Sequence, residues 1–152
     1  MTLPLKRQRR NILEQLFELS GLLGDAMQGE LSGHGLTPAR AEVVWCLHHR
    51  GPMTQRQLSE ELRCTPRNVT GLVDVLASAG IAARNPHPSD RRATLVTLTP
   101  HGKKMAAAWE TGYQALAGHL FSGIGHTDLE RLSATLDQIV SRLRDATLVT
   151  PA

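Results

Sequence analysis

Residues 54–99 read TQRQLSEELRCTPRNVTGLVDVLASAGIAARNPHPSDRRATLVTLT, and the fold of the chain is decided in this stretch. Thr54-Gln55-Arg56-Gln57 fits a capping box, in which the Thr hydroxyl and the Gln side chain satisfy two orphan N–H groups reciprocally. A short helix follows, with Leu58 and Leu62 inward. Thr65-Pro66 marks a second start: Thr as N-cap, and Pro at the first helical position, where its missing N–H is no loss. Val69, Leu72, Val73 and Leu76 then recur at i, i+3, i+4 and i+7, the period of one helix face. Gly80 supplies a stop through its access to the left-handed conformation. Two helices joined by about three residues outline a helix-turn-helix.

The period changes after Gly80. Residues 81–85 form a short run that ends at Pro86-His87-Pro88-Ser89-Asp90, a loop by its prolines and turn formers. Thr94-Leu95-Val96-Thr97-Leu98 is β-branched and alternating, which reads as a strand. The two segments make a two-stranded β-hairpin, or wing, with Arg91 and Arg92 at its tip.

Upstream, Thr37-Pro38 opens a helix through Val43, Val44 and Leu47 that stops at Gly51-Pro52. Before it, Ile12, Leu16, Leu19, Leu23 and Met27 predict a first amphipathic helix of about 20 residues. Gly21, Gly24 and Gly29 weaken that helix, and Ser32-Gly33-His34-Gly35 ends it. Downstream, Thr99-Pro100 opens a helix carrying Met105, Trp109, Gly112, Leu116 and Leu120 on one side. Thr127-Asp128-Leu129-Glu130 fits a second capping box. The last helix places Leu129, Leu132, Leu136, Ile139 and Leu143 at alternating spacings of three and four, the seam of a helix pair.

Composition narrows the function classes. At 152 residues, one domain is expected, and such a chain buries roughly 70% of the surface it exposes when unfolded. Cys46 and Cys64 form neither a C-x-x-C pair nor a zinc-ligand spacing, so disulfides and a metal framework are not expected and a reducing compartment is. The basic N-terminus lacks the apolar run of a signal peptide, and no stretch reaches the roughly 20 apolar residues of a membrane span. A cytoplasmic protein without membrane contact is expected. Aromatic residues are 3% of the chain, which leaves few stacking platforms for single-stranded nucleic acid. Paired carboxylates, a Ser/His/Asp set and a phosphate-cradling Gly loop do not stand out, so neither catalysis nor a cofactor is expected.

Net charge is only +3, but its placement is uneven. Residues 1–40 carry five basic and four acidic groups, 41–105 carry nine and five, and 106–152 carry three and five. A basic segment on a neutral or acidic frame is the footprint of a nucleic-acid binder. With Val69, Leu72, Val73 and Leu76 inward, the helical period turns Arg67, Gly71, Asp74 and Ser78 outward, with Asn68 and Thr70 on the flanks. A small, polar N-terminal face suits the major groove of duplex DNA, where bulk would prevent close approach. Arg67 can pair bidentately with guanine and Asn68 with adenine, while Thr65 or Thr70 can reach phosphate or a thymine methyl. Asp74 would repel phosphate, so a nearby Arg is its expected partner. A winged helix serving protein contacts only is the alternative, although it would have no use for an Arg-tipped wing.

Asp90-Arg91-Arg92-Ala93-Thr94-Leu95-Val96-Thr97-Leu98-Thr99 fits D-x-R-x-x-x-V-x-L-T, and Pro100-His101-Gly102 fits the continuation P-x-G. These residues resemble the wing signature of the MarR family of bacterial transcriptional regulators. Leu36-Thr37-Pro38 and the segment 76–80 are similar to the family as well, and the likeness by motif covers about residues 36–104. It implies a mainly α fold with a small β-wing, namely a winged helix-turn-helix over 36–104 with dimerisation helices in 1–35 and 105–152. It further implies a homodimeric repressor on a pseudo-palindromic operator, with helix 66–79 in the major groove and wing 86–94 in the minor groove. Thr65, Pro66, Arg67, Asn68, Thr70, Arg84, Asp90, Arg91 and Arg92 are the DNA-binding candidates. Among them, Asp90 would hold Arg92 in the minor groove, and Arg91 and Arg84 would face the DNA backbone.

Leu13, Leu16, Leu129, Leu132, Leu136, Ile139 and Leu143 are the dimerisation candidates. Independently of the resemblance, a lone winged helix needs no heptad-like C-terminal helix. Many relatives release DNA when a small aromatic or phenolic anion binds, and Trp45, His48 and Trp109 could line such a pocket, core packing being the competing role for the two Trp. Cys64, ahead of the recognition helix, is expected to pack under the turn.

Overall fold

The computed structural model describes residues 4–149 and divides into two compact units, the first running to Ala108 and the second starting at Trp109. The first unit holds α1 (Leu5–Gly33), α2 (Pro38–Arg50), β1 (Met53–Thr54), α3 (Gln55–Leu62), α4 (Pro66–Ser78), β2 (Ala82–Pro86), β3 (Thr94–Leu98) and the start of α5 (Pro100–Leu120). The rest of α5 and α6 (His126–Val149) make up the second.

The caps act where the sequence places them. Thr37, Thr54 and Thr65 each accept the N–H three residues on, from Arg40, Gln57 and Asn68 respectively. Gln57 Oε1 accepts the Thr54 N–H in return at 2.9 Å, completing the box. At the end of α4, Gly80 takes φ +70° and the Ile81 N–H reaches back to the Leu76 carbonyl at 2.9 Å, closing the helix.

Two boundaries differ from expectation. α1 runs unbroken for 29 residues. Its glycines do not stop it, and Leu31, beyond Gly21, Gly24 and Gly29, is buried. α6 starts at His126, so Thr127 is not its cap. The Gly125 carbonyl takes the N–H groups of Asp128 and Leu129 instead, and Asp128 in the first turn suits the helix dipole.

The sheet has three antiparallel strands in the order β1-β3-β2, so the wing stem is one strand wider than the expected hairpin. β1 is two residues long, with Met53 opposite Val96 and Thr54 opposite Leu95. Two residues cannot display an alternation. On the other edge, Arg84 stands opposite Val96 and Pro86 opposite Thr94. The core of the unit lies between α2, α3, α4 and this sheet: Val43, Val44, Leu58, Val69, Val73, Leu76 and Val96 are all below 2% exposure. Leu62 and Leu72, expected inward, are half-buried at its edge. Among the described residues, no helix is long and apolar enough to cross a membrane.

Candidate nucleic-acid interface

The turn between α3 and α4 is Arg63-Cys64-Thr65, with Arg63 in the left-handed region at φ +50°. Ser59 ties this turn down: its hydroxyl donates to the Cys64 carbonyl at 2.6 Å, and its carbonyl accepts the Cys64 N–H at 3.1 Å. Cys64 is half-buried. α4 is therefore anchored through the turn that precedes it as well as along its buried face of Val69, Val73 and Leu76.

The opposite face of α4 carries Arg67, Asn68, Gly71, Asp74, Val75 and Ser78, all exposed. Among the described residues, no protein group engages the side chains of Arg67 or Asn68. Two bidentate-capable side chains thus stand free at a helix N-terminus, where unpaired N–H groups and the dipole favour anions.

The flanking residues behave differently. The Thr70 hydroxyl donates to the Pro66 carbonyl at 2.9 Å and accepts from Gln55 Nε2 at 2.9 Å. Arg84 donates from Nε to Gln55 Oε1 at 2.9 Å and from Nη2 to Asp74 Oδ1 at 2.6 Å. Asp74 has the Arg partner that its place on α4 requires. Arg84, expected on the DNA backbone, is instead held by two groups of the protein, and the Thr70 hydroxyl has no proton left for a phosphate. Gln55, which no sequence feature singles out, joins these residues. Its partners lie 15 and 29 positions away, beyond any local pattern.

At the wing tip, Asp90 Oδ1 accepts the backbone N–H of Arg92 at 2.9 Å. The expected grip of this carboxylate on the guanidinium is replaced by an ordering of the Arg92 backbone, which leaves the guanidinium exposed and, among the described residues, unpaired. Arg91 is also exposed and without a protein partner among those residues. His87 is a second organiser, outside the candidates that the sequence suggests: its Nδ1 accepts the N–H groups of Ser89 at 3.2 Å and Asp90 at 3.1 Å. Its place between two prolines of a turn is the available signal.

The effector candidates fall in both units. Trp45 and His48 are half-buried on α2, with ring centroids 6.1 Å apart, and Trp109 is half-buried in the second unit. His48, together with Leu47, Pro52, Leu98 and Lys103, lines an open cleft of about 560 Å³. Trp45 is not among its lining residues. Among the described residues, no group of three or more His, Cys, Asp and Glu could hold a metal ion.

The dimerisation candidates are mostly exposed large apolar groups. Leu13 is 55% exposed in the first unit, and Leu132, Leu136 and Leu143 are 40%, 37% and 65% exposed in the second. Leu16, Leu129 and Ile139 are half-buried.

Residues 36–94 match the model of the MarR family. Over 80 residues the chain is 29% identical to the HTH-type transcriptional regulator MhqR of Bacillus subtilis (strain 168), covering 53% of this chain and 55% of that protein. It is 24% identical over 132 residues to the HTH-type transcriptional repressor YetL of the same organism, covering 84% and 78%. The match thus spans about half the length of the first relative and more of the second. Among solved structures, NMB1585, a MarR family regulator from Neisseria meningitidis, is 25% identical with a TM-score of 0.64, covering 89% of this chain and 95% of that one.

Proposed function

Since residues 36–94 are a MarR family domain built as a winged helix-turn-helix, we propose that the chain is a non-enzymatic transcriptional repressor. It binds a pseudo-palindromic duplex DNA operator as a homodimer in the cytoplasm. The observation that carries this reading is the pair of exposed Arg67 and Asn68 at the N-terminus of α4, unengaged among the described residues, together with a wing tip whose backbone Asp90 orders while Arg91 and Arg92 stay free among those residues. α4 enters the major groove with Arg67 on guanine and Asn68 on adenine, and Thr65 and Pro66 approach the phosphates at its start. Arg92 enters the adjacent minor groove, where a narrow A·T-rich segment concentrates negative potential, and Arg91 meets the DNA backbone. The name of YetL supports the sign of regulation.

The exposed apolar stripes of α1 and α6 supply the dimer contact, and two-fold symmetry sets half-site centres about 34 Å apart. A small phenolic or aromatic anion acts as effector in this proposal. The cleft beside His48, which Lys103 also lines, supports that arm.

Titration of the protein with operator fragments selected from the host genome, across a salt series, tests the proposal. The log of the binding constant should fall steeply and linearly with log salt, and Arg92→Ala should shallow the slope by about one. A flat salt response would instead favour a protein-interaction module.

A further inference from the structure

Gln55 stands at the first position of α3 and touches two elements distant in sequence: β2, through Arg84, and α4, through Thr70. The orientation of its amide is forced. A guanidinium offers only donors, so the Gln oxygen must face Arg84. The Thr70 proton is directed to the Pro66 carbonyl, so that hydroxyl can only accept from the Gln nitrogen. Arg84 continues the circuit to Asp74, one helical turn beyond Thr70 on the same flank of α4. Four side chains from three elements therefore form a polar chain, Thr70–Gln55–Arg84–Asp74, and because both of its ends are on α4 the helix itself completes the circuit.

This circuit adds little to stability. Asp74 is 58% and Arg84 32% exposed at the side chain, and solvent screens such a pair so that it contributes little. Its geometry matters more. Arg84 lies two residues before Pro86, where β2 ends and the wing tip begins, while Thr70 and Asp74 flank Arg67 and Gly71. The circuit clamps the stem of the wing to the side of the recognition helix.

Resting on the proposed DNA reading, we infer that Gln55 is a positioning residue that sets the attitude of the wing relative to α4. It thereby registers the minor-groove contact of Arg92 with the major-groove contacts of Arg67 and Asn68. Its removal misplaces Arg92 without altering any charge.

The test pairs Gln55→Met, which keeps the volume and loses both bonds, with Arg92→Ala, alone and combined, in operator titrations over a salt series. Gln55→Met, although it changes no charge, should weaken binding about tenfold and shallow the salt slope by about one, as Arg92→Ala does. In the Arg92→Ala background it should cost less than about twofold, because the contact it positions is already gone. Thr70→Val, which opens the circuit at its other end, should reproduce both results should Gln55→Met fail to fold. Equal losses in both backgrounds, or an unchanged slope, would mark Gln55 as a direct contact or an inert one and overturn the inference. Loss of salt-dependent binding in the native chain would overturn the DNA reading itself, and the native control separates the two failures.

Discussion

Gly102 packs so closely on Ile81 that a Cβ at position 102 would run into the Ile81 carbonyl oxygen and lie 3.0 Å from its carbonyl carbon. Thr99 holds the approach. Its hydroxyl bonds the Gly80 carbonyl at 2.5 Å and accepts the Gly102 N–H at 3.1 Å, while its own N–H donates to the Ile81 carbonyl at 3.0 Å. The start of α5 is thereby seated on the junction between α4 and β2. Because the obstacle is backbone, Gly102→Ala should cost about 2 kcal/mol, read as a fall of roughly 5 °C in Tm. An unchanged Tm would show that the joint is loose.

Gly71 is the opposite case. It sits inside α4, and a Cβ at this position would meet nothing within 4 Å. Gly71→Ala should raise stability by about 0.5–1 kcal/mol through helix propensity. The same methyl group stands on the face proposed to meet base edges, so operator affinity should fall. Thermal melts and DNA titrations of the one variant should therefore move in opposite directions.

Asp90 gives a test in which geometry and charge oppose each other. Asp90→Ala removes a negative charge from the tip, which by Coulomb attraction alone would strengthen DNA binding. It also removes the acceptor for the Arg92 N–H. The expected result is several-fold weaker binding, while Asp90→Asn, which keeps Oδ1 and loses the charge, should bind at least as well as the native protein. Tighter binding by Asp90→Ala would show that the tip needs no ordering. His87→Ala, which strips the acceptor from the Ser89 and Asp90 N–H groups, should weaken binding in the same way.

Leu136→Glu tests the dimer face. Leu132, Leu136 and Leu143 expose apolar surface along α6, and a carboxylate there would be desolvated on association at a cost of several kcal/mol. Light scattering should report a monomer for the variant and a dimer for the native chain. A native monomer, or a dimeric variant, would move the interface elsewhere.

Burial pushes the Cys46 thiol above its ordinary pKa of 9.0, aided by Glu61 and Glu42 and opposed by Arg50. Its Sγ also lies 3.6 Å from Met53 Sδ. The sign follows from proton counting: above pH 9 the unfolded chain loses this proton before the folded one does. The stability associated with the protonated thiol is therefore complete below that pH and lost as pH rises through the folded-state value. Alkylation of Cys46 in the folded protein at pH 8 should be slow compared with the same cysteine in denaturant, as mass spectrometry of timed samples would show.

Much of the fold was legible because its signals are local. A capping Thr and its N–H lie three residues apart, as at Thr37, Thr54 and Thr65, and the stripe of Val69, Val73 and Leu76 repeats within two turns. Where such signals failed, a competing local group was at work: the Gly125 carbonyl starts α6 ahead of the Thr127 box. β1 was invisible because two residues carry no period, and it exists only because β3 offers an edge.

The candidate site divides along the same line. An Arg- and Asn-bearing helix start and an Arg-tipped hairpin, one following the other, can be read directly from the residues, since each is specified by neighbours within a few positions. Tertiary structure decided which of those groups are free. Arg84 and Thr70 look as available as Arg67 in the sequence, yet Gln55 and Asp74 hold them across separations of 10 to 29 residues. A hydrogen bond depends on where the fold brings a donor and an acceptor together, and no period or spacing along the chain records that meeting.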